Sequence, residues 1–201
     1  MKYKTYSCKN ETITIPQTEN YRDCLKLVQS DIYRHTGKIY SFWKIVFSRH
    51  RTFRFLFWLR MSSHKGIFHL FCRFQLVHLS QKTGLHISWK TPIGYGLYLG
   101  HGLGIIINPT AIIGNNCNLS QFTTIGSNKN KAATIGNNVY IGPSVCIVEN
   151  IQIGSGSTIG AGSVVTKDVP SNTTVAGTPA KIIHNHGHAE FINWKWDYHK
   201  K

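Results

Sequence analysis

Acidic residues are scarce in this sequence. Only 8 Asp and Glu stand against 23 Lys and Arg, which gives a formal net charge of +15 at pH 7. The imbalance is concentrated in residues 1–90, which hold 16 basic and 4 acidic residues, against 7 and 4 in residues 91–201. The basic character therefore belongs to the N-terminal part of the chain. The change near residue 90 predicts a domain boundary there.

Long apolar runs and paired cysteines are also missing. The longest apolar run in the basic, aromatic segment 42–79 is Phe55–Leu59, whereas a membrane-spanning helix needs about 20 residues. The first residues lack the apolar core of a secretory signal, so we expect none. The five cysteines include no C-x-x-C pair, which argues against a disulfide framework or a zinc site. We therefore expect a cytoplasmic protein.

What the sequence does contain, from Ile93 onward, is a repeat of an aliphatic residue followed by glycine. The aliphatic positions keep a period of six in three registers: 93-99-105, 113-119-125 and 135-141-147-153-159-165. Each unit reads as one short strand and one tight turn, with the aliphatic side chain inside. Three units close a triangular coil of about 18 residues, and stacked coils bury a continuous core. The extra residues between Ile125 and Ile135 predict a loop outside the coil.

Residues 86–183 resemble the hexapeptide-repeat acyltransferases, and most of all the serine acetyltransferases and their relatives in surface-polysaccharide clusters. The matching stretches are "GLYLGHGLGIIINPTAIIG", "NLSQFTTIGS", "IGAGSVVTKDVP" and "AGTPAKII". The resemblance implies a left-handed coil, a homotrimer and acetyl-CoA as co-substrate. The predicted fold is mainly β: a left-handed parallel β-helix over residues 91–183, preceded by an α-helical region over residues 1–90. Residues 184–201 form a C-terminal tail.

His101 is the first candidate catalytic residue. It lies between Gly100 and Gly102, which predict open space on both sides of it. An imidazole titrates near neutral pH, so it can take the proton of an attacking hydroxyl and return it to a departing thiolate. The resemblance gives His101 this role of general base. The family orients the base with an aspartate fifteen residues upstream, where this chain has His86. His86 is the second candidate, with a structural role equally open.

Two further departures from the family concern the acceptor. The residue before the base is an aspartate in serine acetyltransferases and is Gly100 here, and a loop histidine of the family has its nearest match at Ala132. The predicted reaction is O-acetylation of serine. The alternative acceptor is a sugar of a capsular polysaccharide, an exopolysaccharide or a lipid-linked precursor. A non-catalytic binding scaffold also stays open. A γ-carbonic-anhydrase-like metalloenzyme on the same fold needs three histidines that converge between subunits. The repeat region offers only His86 and His101, so no metal is expected.

The resemblance also implies a groove for acetyl-CoA between coils of two subunits. Glycines and alanine there would let the pantetheine arm approach the backbone, and lysines would meet the phosphates. The residues implied are Gly142, Pro143, Gly160, Ala161, Thr166, Lys167 and Lys181.

The sequence of the N-terminal region predicts helices, for which two functions are possible. A helix is expected over residues 18–37, with Thr18 as N-cap and Gly37 as its end. The segment 42–79 fits a helical cap with aromatic side chains inward. It also fits a helix pair resting on the anionic inner face of the cytoplasmic membrane. No nucleic-acid-binding motif is present, so no nucleic acid partner is expected.

The tail carries His184, His186 and His188 at alternate positions, which could share a metal on an extended segment. We expect instead a mobile, solvated tail. The sequence ends in lysines and not in the isoleucine that serine acetyltransferases insert into cysteine synthase, so no complex with cysteine synthase is expected.

Overall fold

A computed structural model describes residues 1–8 and 10–197. The two terminal lysines, on which the expectation about cysteine synthase depends, lie outside the described residues. From His86 onward the chain forms a solenoid of short parallel strands in three sheets. The strands of one sheet are β3 (His86–Ile87), β5 (Ile106–Ile107), β8 (Thr124–Gly126), β11 (Cys146–Val148) and β14 (Val164–Val165). Those of the second are β6 (Ile112–Ile113), β9 (Thr134–Ile135) and β12 (Gln152–Ile153).

The third sheet contains the strands that lead to the candidate base. Its parallel members are β4 (Tyr98–Leu99), β7 (Asn118–Leu119), β10 (Tyr140–Ile141), β13 (Thr158–Ile159) and β15 (Thr174–Gly177). The last strand, β16 (Ala180–His184), runs antiparallel to β15 and closes the solenoid.

Stacked aliphatic side chains form the interior, as the repeat predicts. Leu99 pairs with Leu119, which pairs with Ile141 in the next coil, and all three are buried. One register differs from the prediction. The strand residue that pairs with Ile125 is Ile107 and not Ile105, because the turn after β4 is longer than one repeat allows. The loop expected outside the coil lies between β8 and β9.

Four helices precede the solenoid: α1 (Tyr21–Thr36), α2 (Phe42–Val46), α3 (Arg51–Met61) and α4 (His69–Thr83). The end of α1 at Gly37 is confirmed, since Gly37 has φ 65° and its N–H bonds to the carbonyl of Tyr33. The predicted N-cap is wrong. Asn20, not Thr18, accepts the Asp23 N–H at 2.9 Å, because its side chain stands three residues before that donor. None of the helices in residues 1–8 and 10–197 is both long and apolar enough to span a bilayer.

A β-hairpin that the sequence analysis missed opens the chain. Strands β1 (Lys2–Cys8) and β2 (Glu11–Gln17) pair antiparallel. Ile13 and Ile15 are buried, so the alternation of threonine and isoleucine over residues 12–15 was the signal for a strand. Glu11 accepts the Ser155 N–H at 2.6 Å, which ties the hairpin to the solenoid. The region before the solenoid is therefore not helical throughout.

Most described residues of the tail are exposed, as expected of a solvated segment, but the tail also makes specific contacts with the solenoid that were not expected. His188 donates its backbone N–H to Thr158 Oγ1 at 2.9 Å. The backbone N–H of Trp196 donates to Asn116 Oδ1 at 2.9 Å, and its carbonyl accepts from Asn116 Nδ2 at 3.0 Å. Ile192 is buried. Up to residue 197 the tail thus lies across the outside of the third sheet, held by these hydrogen bonds and by the buried side chain of Ile192.

Candidate active site

His101 lies at the corner of the solenoid between β4 and β5. Its φ of 57° is in the left-handed region, which costs a non-glycine residue about 1–3 kcal/mol. The imidazole is exposed and makes no hydrogen bond to any residue that the structure describes. It lines a cavity of about 290 Å³. An unpaired imidazole held on a strained backbone beside a cavity is suited to proton transfer.

The two glycines beside His101 have roles other than the open space that the sequence predicted. A Cβ at Gly102 would lie 2.1 Å from Thr52 Oγ1 of α3, and one at Gly100 would lie 3.3 Å from Ser120 Cα. Both glycines therefore permit close packing against a neighbouring element. Gly102 also has φ 54°, which an L-residue rarely adopts.

Aromatic and amide side chains dominate the rest of the cavity, and sequence reasoning missed most of them. Tyr98, Asn118 and Tyr140 form one outward-facing row, since they pair across β4, β7 and β10. Each of these residues directly precedes an interior aliphatic residue of the repeat, and this position could have shown from the sequence that they share one outer face. Helix α1 and the tail also line this cavity, and no sequence pattern in either segment predicted that contact. The side chains that line the cavity with His101 also include Arg34, His35, Gln121, Phe191, Asn193 and Trp194.

His35 is a second histidine in this cavity, but both of its ring nitrogens are occupied. Nδ1 lies 2.9 Å from the carbonyl of Asp31, and Nε2 lies 3.3 Å from the backbone N and O of Leu99. The ring also stacks on Tyr98 with centroids 4.2 Å apart. Burial lowers the pKa of His35 below its ordinary value of 6.5, so the ring is neutral at pH 7. His35 therefore supports the wall of the cavity, and His101 is the histidine free to react.

Arg34 is the cation in the cavity wall. Its side chain is fully buried, and burial lowers its pKa to about 10. It stays charged at pH 7. Nε donates to the carbonyl of Gly96 at 3.1 Å, and Nη2 donates to Asn118 Oδ1.

A buried ion pair holds α1 and α3 against the strand that leads to His101. Arg60 contacts both carboxylate oxygens of Asp31, at 2.7 and 2.9 Å. Arg60 also donates to the carbonyls of Ile93 and Gly94, at 2.9 and 2.6 Å. Asp31 in turn accepts the Leu97 N–H at 2.8 Å. The helices thus fix the backbone of the coil that ends at His101.

His86, the predicted partner of His101, lies in a different groove of the chain. It is exposed at the start of β3, where it pairs with Ile106, and it faces a groove between α4 and the first sheet. Within one chain the structure does not bring the two histidines together.

Four of the residues implied for acetyl-CoA share the corner of His101. Pro143 and Ala161 stand two residues after Ile141 and Ile159, which follow Leu99 in the same stack. Pro143 also lines the cavity of His101. A Cβ at Gly142 would meet Ala161 N at 2.8 Å, and one at Gly160 would meet Ala176 Cβ at 2.9 Å. These glycines therefore serve the contact between coils.

The other implied residues lie elsewhere on the chain. Thr166 and Lys167 are exposed at the next corner, after β14, and Lys181 is exposed on β16. At Gly162 a Cβ would meet nothing within 4 Å, so the surface beside Ala161 is open. Exposed lysines can bind the phosphates of acetyl-CoA, and an open corner leaves room for its pantetheine arm, but Lys167 and Ala161 lie at different corners of one chain.

The tail histidines come close without forming a metal site. The ring centroids of His184, His186 and His188 lie 5.2 to 6.1 Å apart. Among the residues that the structure describes, no group of three or more potential ligands is arranged to hold a metal ion. His188 Nδ1 instead lies 2.7 Å from Glu190 Oε1.

Comparison with known proteins agrees with this geometry. The family described as bacterial transferase hexapeptide (six repeats) matches residues 132–167. A serine acetyltransferase of Synechococcus elongatus is 41% identical over 117 residues, which cover 56% of this chain and 48% of that protein. The serine acetyltransferase of Escherichia coli K12 is 39% identical over 111 residues, or 53% and 40% of the two chains. The chain thus spans about half the length of these curated relatives or less.

Solved structures extend the likeness to most of the chain. A Neisseria gonorrhoeae serine acetyltransferase in complex with serine aligns with a TM-score of 0.67 and 30% identity, over 81% of this chain and 69% of that one. A Brucella abortus serine acetyltransferase in complex with coenzyme A aligns with a TM-score of 0.65 and 29% identity, over 83% and 69%. The predicted resemblance and the predicted fold class, a left-handed parallel β-helix, are confirmed.

Proposed function

Because the chain belongs to the hexapeptide-repeat acetyltransferases of the serine acetyltransferase type, we propose that it moves an acetyl group from acetyl-CoA to a hydroxyl group. The observation that carries this proposal is the free imidazole of His101 at the corner shared with Pro143 and Ala161. An acceptor in the cavity and a thioester along that corner would meet at His101.

His101 would act as general base and then as general acid. As the acceptor oxygen attacks the thioester carbon, the imidazole takes the hydroxyl proton. When the carbon–sulfur bond breaks, the imidazolium returns that proton to the thiolate. Such a group contributes about 10²–10⁴-fold to rate. His35 cannot replace it, because both of its ring nitrogens already have backbone partners.

Serine is the first acceptor to consider, since the relatives are named serine acetyltransferases and one was solved with serine. Arg34 offers a positive charge for a carboxylate. An amino acid also carries an ammonium group, which is best matched by a carboxylate. None of the chain's eight acidic residues, all within the described part, lines this cavity.

A sugar hydroxyl is the second candidate, and the lining of the cavity favours it. The rings of Tyr98, Tyr140, Phe191 and Trp194 offer flat apolar faces to the C–H groups of a pyranose. The amides of Gln121 and Asn193 offer both donors and acceptors to hydroxyl groups. A neutral acceptor with many hydroxyl groups needs no carboxylate in the wall.

The test is release of free thiol from acetyl-CoA with a panel of acceptors that holds serine, neutral hexoses and nucleotide-linked sugars. We expect acceptor-dependent thiol release that His101→Asn lowers at least about 100-fold. The fastest acceptor decides between the two candidates. Absence of thiol release with every acceptor, together with no binding of acetyl-CoA, would leave a non-catalytic scaffold.

We also propose a homotrimer in the cytoplasm. A trimer would place the corner of one chain against a neighbouring chain and so complete the groove for acetyl-CoA. All five cysteines are free thiols, four of them buried, which suits a reducing compartment.

A further inference from the structure

Helix α4 carries two apolar stripes on opposite sides. Cys72, Leu76 and Leu79 face inward and are buried. Leu70, Phe74 and Val77 lie two residues before these positions, which is about 200° around the helix, and they are 55 to 68% exposed. A helix at a protein surface normally turns one apolar face to the core and a polar face to water, so a second apolar stripe indicates a further contact. In the part of the chain that the structure describes, these three outer side chains of α4 stay largely exposed.

The exposed stripe continues across the neighbouring helices. Ile67, Phe68 and Phe71 extend it at the start of α4. On α2 and in the adjoining segments, Ile39, Phe42, Trp43 and Phe47 are between 40 and 75% exposed. Rings of α3 join the two groups, since Phe57 contacts Phe42 and Trp58 contacts Phe71, with centroids 5.7 and 5.5 Å apart. We call these exposed side chains of residues 39–77 the apolar face.

Basic residues are interspersed with the apolar face along the chain, and the segment that carries both holds no acidic residue. No acidic residue occurs between Asp31 and Glu149. The exposed cations of the α2–α4 region are Lys38, Lys44, Arg49, Arg51, Lys65 and Lys82. A two-fold contact of this face with the same face of a second copy is disfavoured, because it would bring the same cations together without an acidic residue from residues 32–148 to pair them.

We propose that the apolar face and its cations bind the headgroup region of an anionic lipid bilayer. Aromatic side chains suit the boundary between headgroups and acyl chains, and each basic residue near an anionic surface adds about fivefold to binding at low salt. The surface also leads to the catalytic corner. Arg49, Arg51 and Lys82 line a groove of about 360 Å³ that contains His101. Docking would therefore hold the active site beside the headgroups.

The experiment is co-sedimentation of the full chain with vesicles of phosphatidylcholine alone or with one quarter phosphatidylglycerol, at low and high salt. We expect binding to the anionic vesicles only, reduced by salt. The apolar variant is Trp43→Ser/Phe71→Ser. Its matched control is Tyr3→Ser/Ile183→Ser, at positions that are 48 and 52% exposed away from the apolar face. The charge variant is Lys44→Gln/Lys65→Gln, matched by Lys2→Gln/Lys4→Gln on the hairpin.

The lipid concentration for half-binding should rise at least about tenfold in both test variants and less than about twofold in both controls. Three results would overturn the proposal. These are equal binding to neutral vesicles, equal losses in test and control variants, and a wild-type self-association without lipid that the apolar variant abolishes. The thiol-release assay with a soluble acceptor reports on the proposed function separately, because it needs no lipid.

Discussion

At the scale of single residues, His101 has a backbone conformation that few residues with a side chain adopt without strain. Its φ of 57° matches that of several corner residues, but most of those are asparagine or glycine, which tolerate the left-handed region better. At His101 the turn therefore keeps a backbone conformation that its own side chain does not favour. This separates His101 from His35, whose ring bonds to the backbone on both sides.

Replacing His101 by asparagine is the sharpest test of its role, because asparagine keeps the left-handed backbone while removing the base. We expect kcat to fall at least about 100-fold, with KM for acetyl-CoA little changed. Steady-state kinetics by thiol release measures both constants. His86→Asn is the matched control and should lose far less activity, since His86 lies in another groove. An equal loss in the two variants would make His86 a catalytic partner, contributed by a neighbouring subunit.

The buried ring of His35 makes stability depend on pH. The pKa of His35 in the folded chain lies below 6.5. As pH falls below 6.5, the unfolded chain therefore binds a proton at His35 while the folded chain does not. The free energy of unfolding therefore decreases as pH falls from 6.5 to the folded-state pKa of His35. Below that pKa, His35 causes no further decrease. Urea unfolding at pH 7.5 and 5.5 should show a smaller difference in free energy for His35→Asn than for wild type. His78→Asn, at an exposed histidine of α4, should leave the wild-type difference unchanged.

At the scale of elements, the sequence predicted the strands that belong to a repeating pattern. It did not predict the segments that make a single, non-repeated contact. The six-residue period predicted the parallel strands because every coil buries the same kind of side chain. The hairpin offered only one short alternation, and the tail offered none. Their positions depend on single contacts, such as Glu11 with Ser155 and Trp196 with Asn116, which have no local signature. For the same reason α1 was predicted, but its contribution of Arg34 and His35 to the cavity was not.

The ion pair between α1 and α3 should matter more than any surface pair. Asp31→Ala would leave Arg60 buried without its carboxylate, which costs about 3–5 kcal/mol of unfolding free energy. Chemical denaturation measures this loss. The control is Glu19→Gln, at an exposed pair with Lys2, and its midpoint should stay near that of wild type. Similar midpoints for the two variants would mean that the helices add little to the stability of the solenoid.

At the scale of the whole molecule, the residues implied for acetyl-CoA do not meet within one chain. Pro143 and Ala161 lie at the corner of His101, whereas Thr166 and Lys167 lie at the next corner. A trimer in which the two kinds of corner face each other would complete three identical grooves. The sequence could indicate this only through resemblance, because a repeat period describes one chain and not its neighbours.

Mixed trimers test this arrangement. His101→Asn removes the base from a groove, and Lys167→Glu should weaken the use of acetyl-CoA, so each variant alone should be nearly inactive at low acetyl-CoA. If each groove takes His101 from one subunit and Lys167 from the next, every mixed trimer regains one intact groove of its three. Equal co-expression makes about three quarters of the trimers mixed, so activity should recover to about a quarter of the wild-type value. The control is a mixture of the two variants purified separately and kept from exchanging subunits, which should stay inactive. Absence of recovery after co-expression, with trimers confirmed by mass, would place both residues of a groove in one subunit.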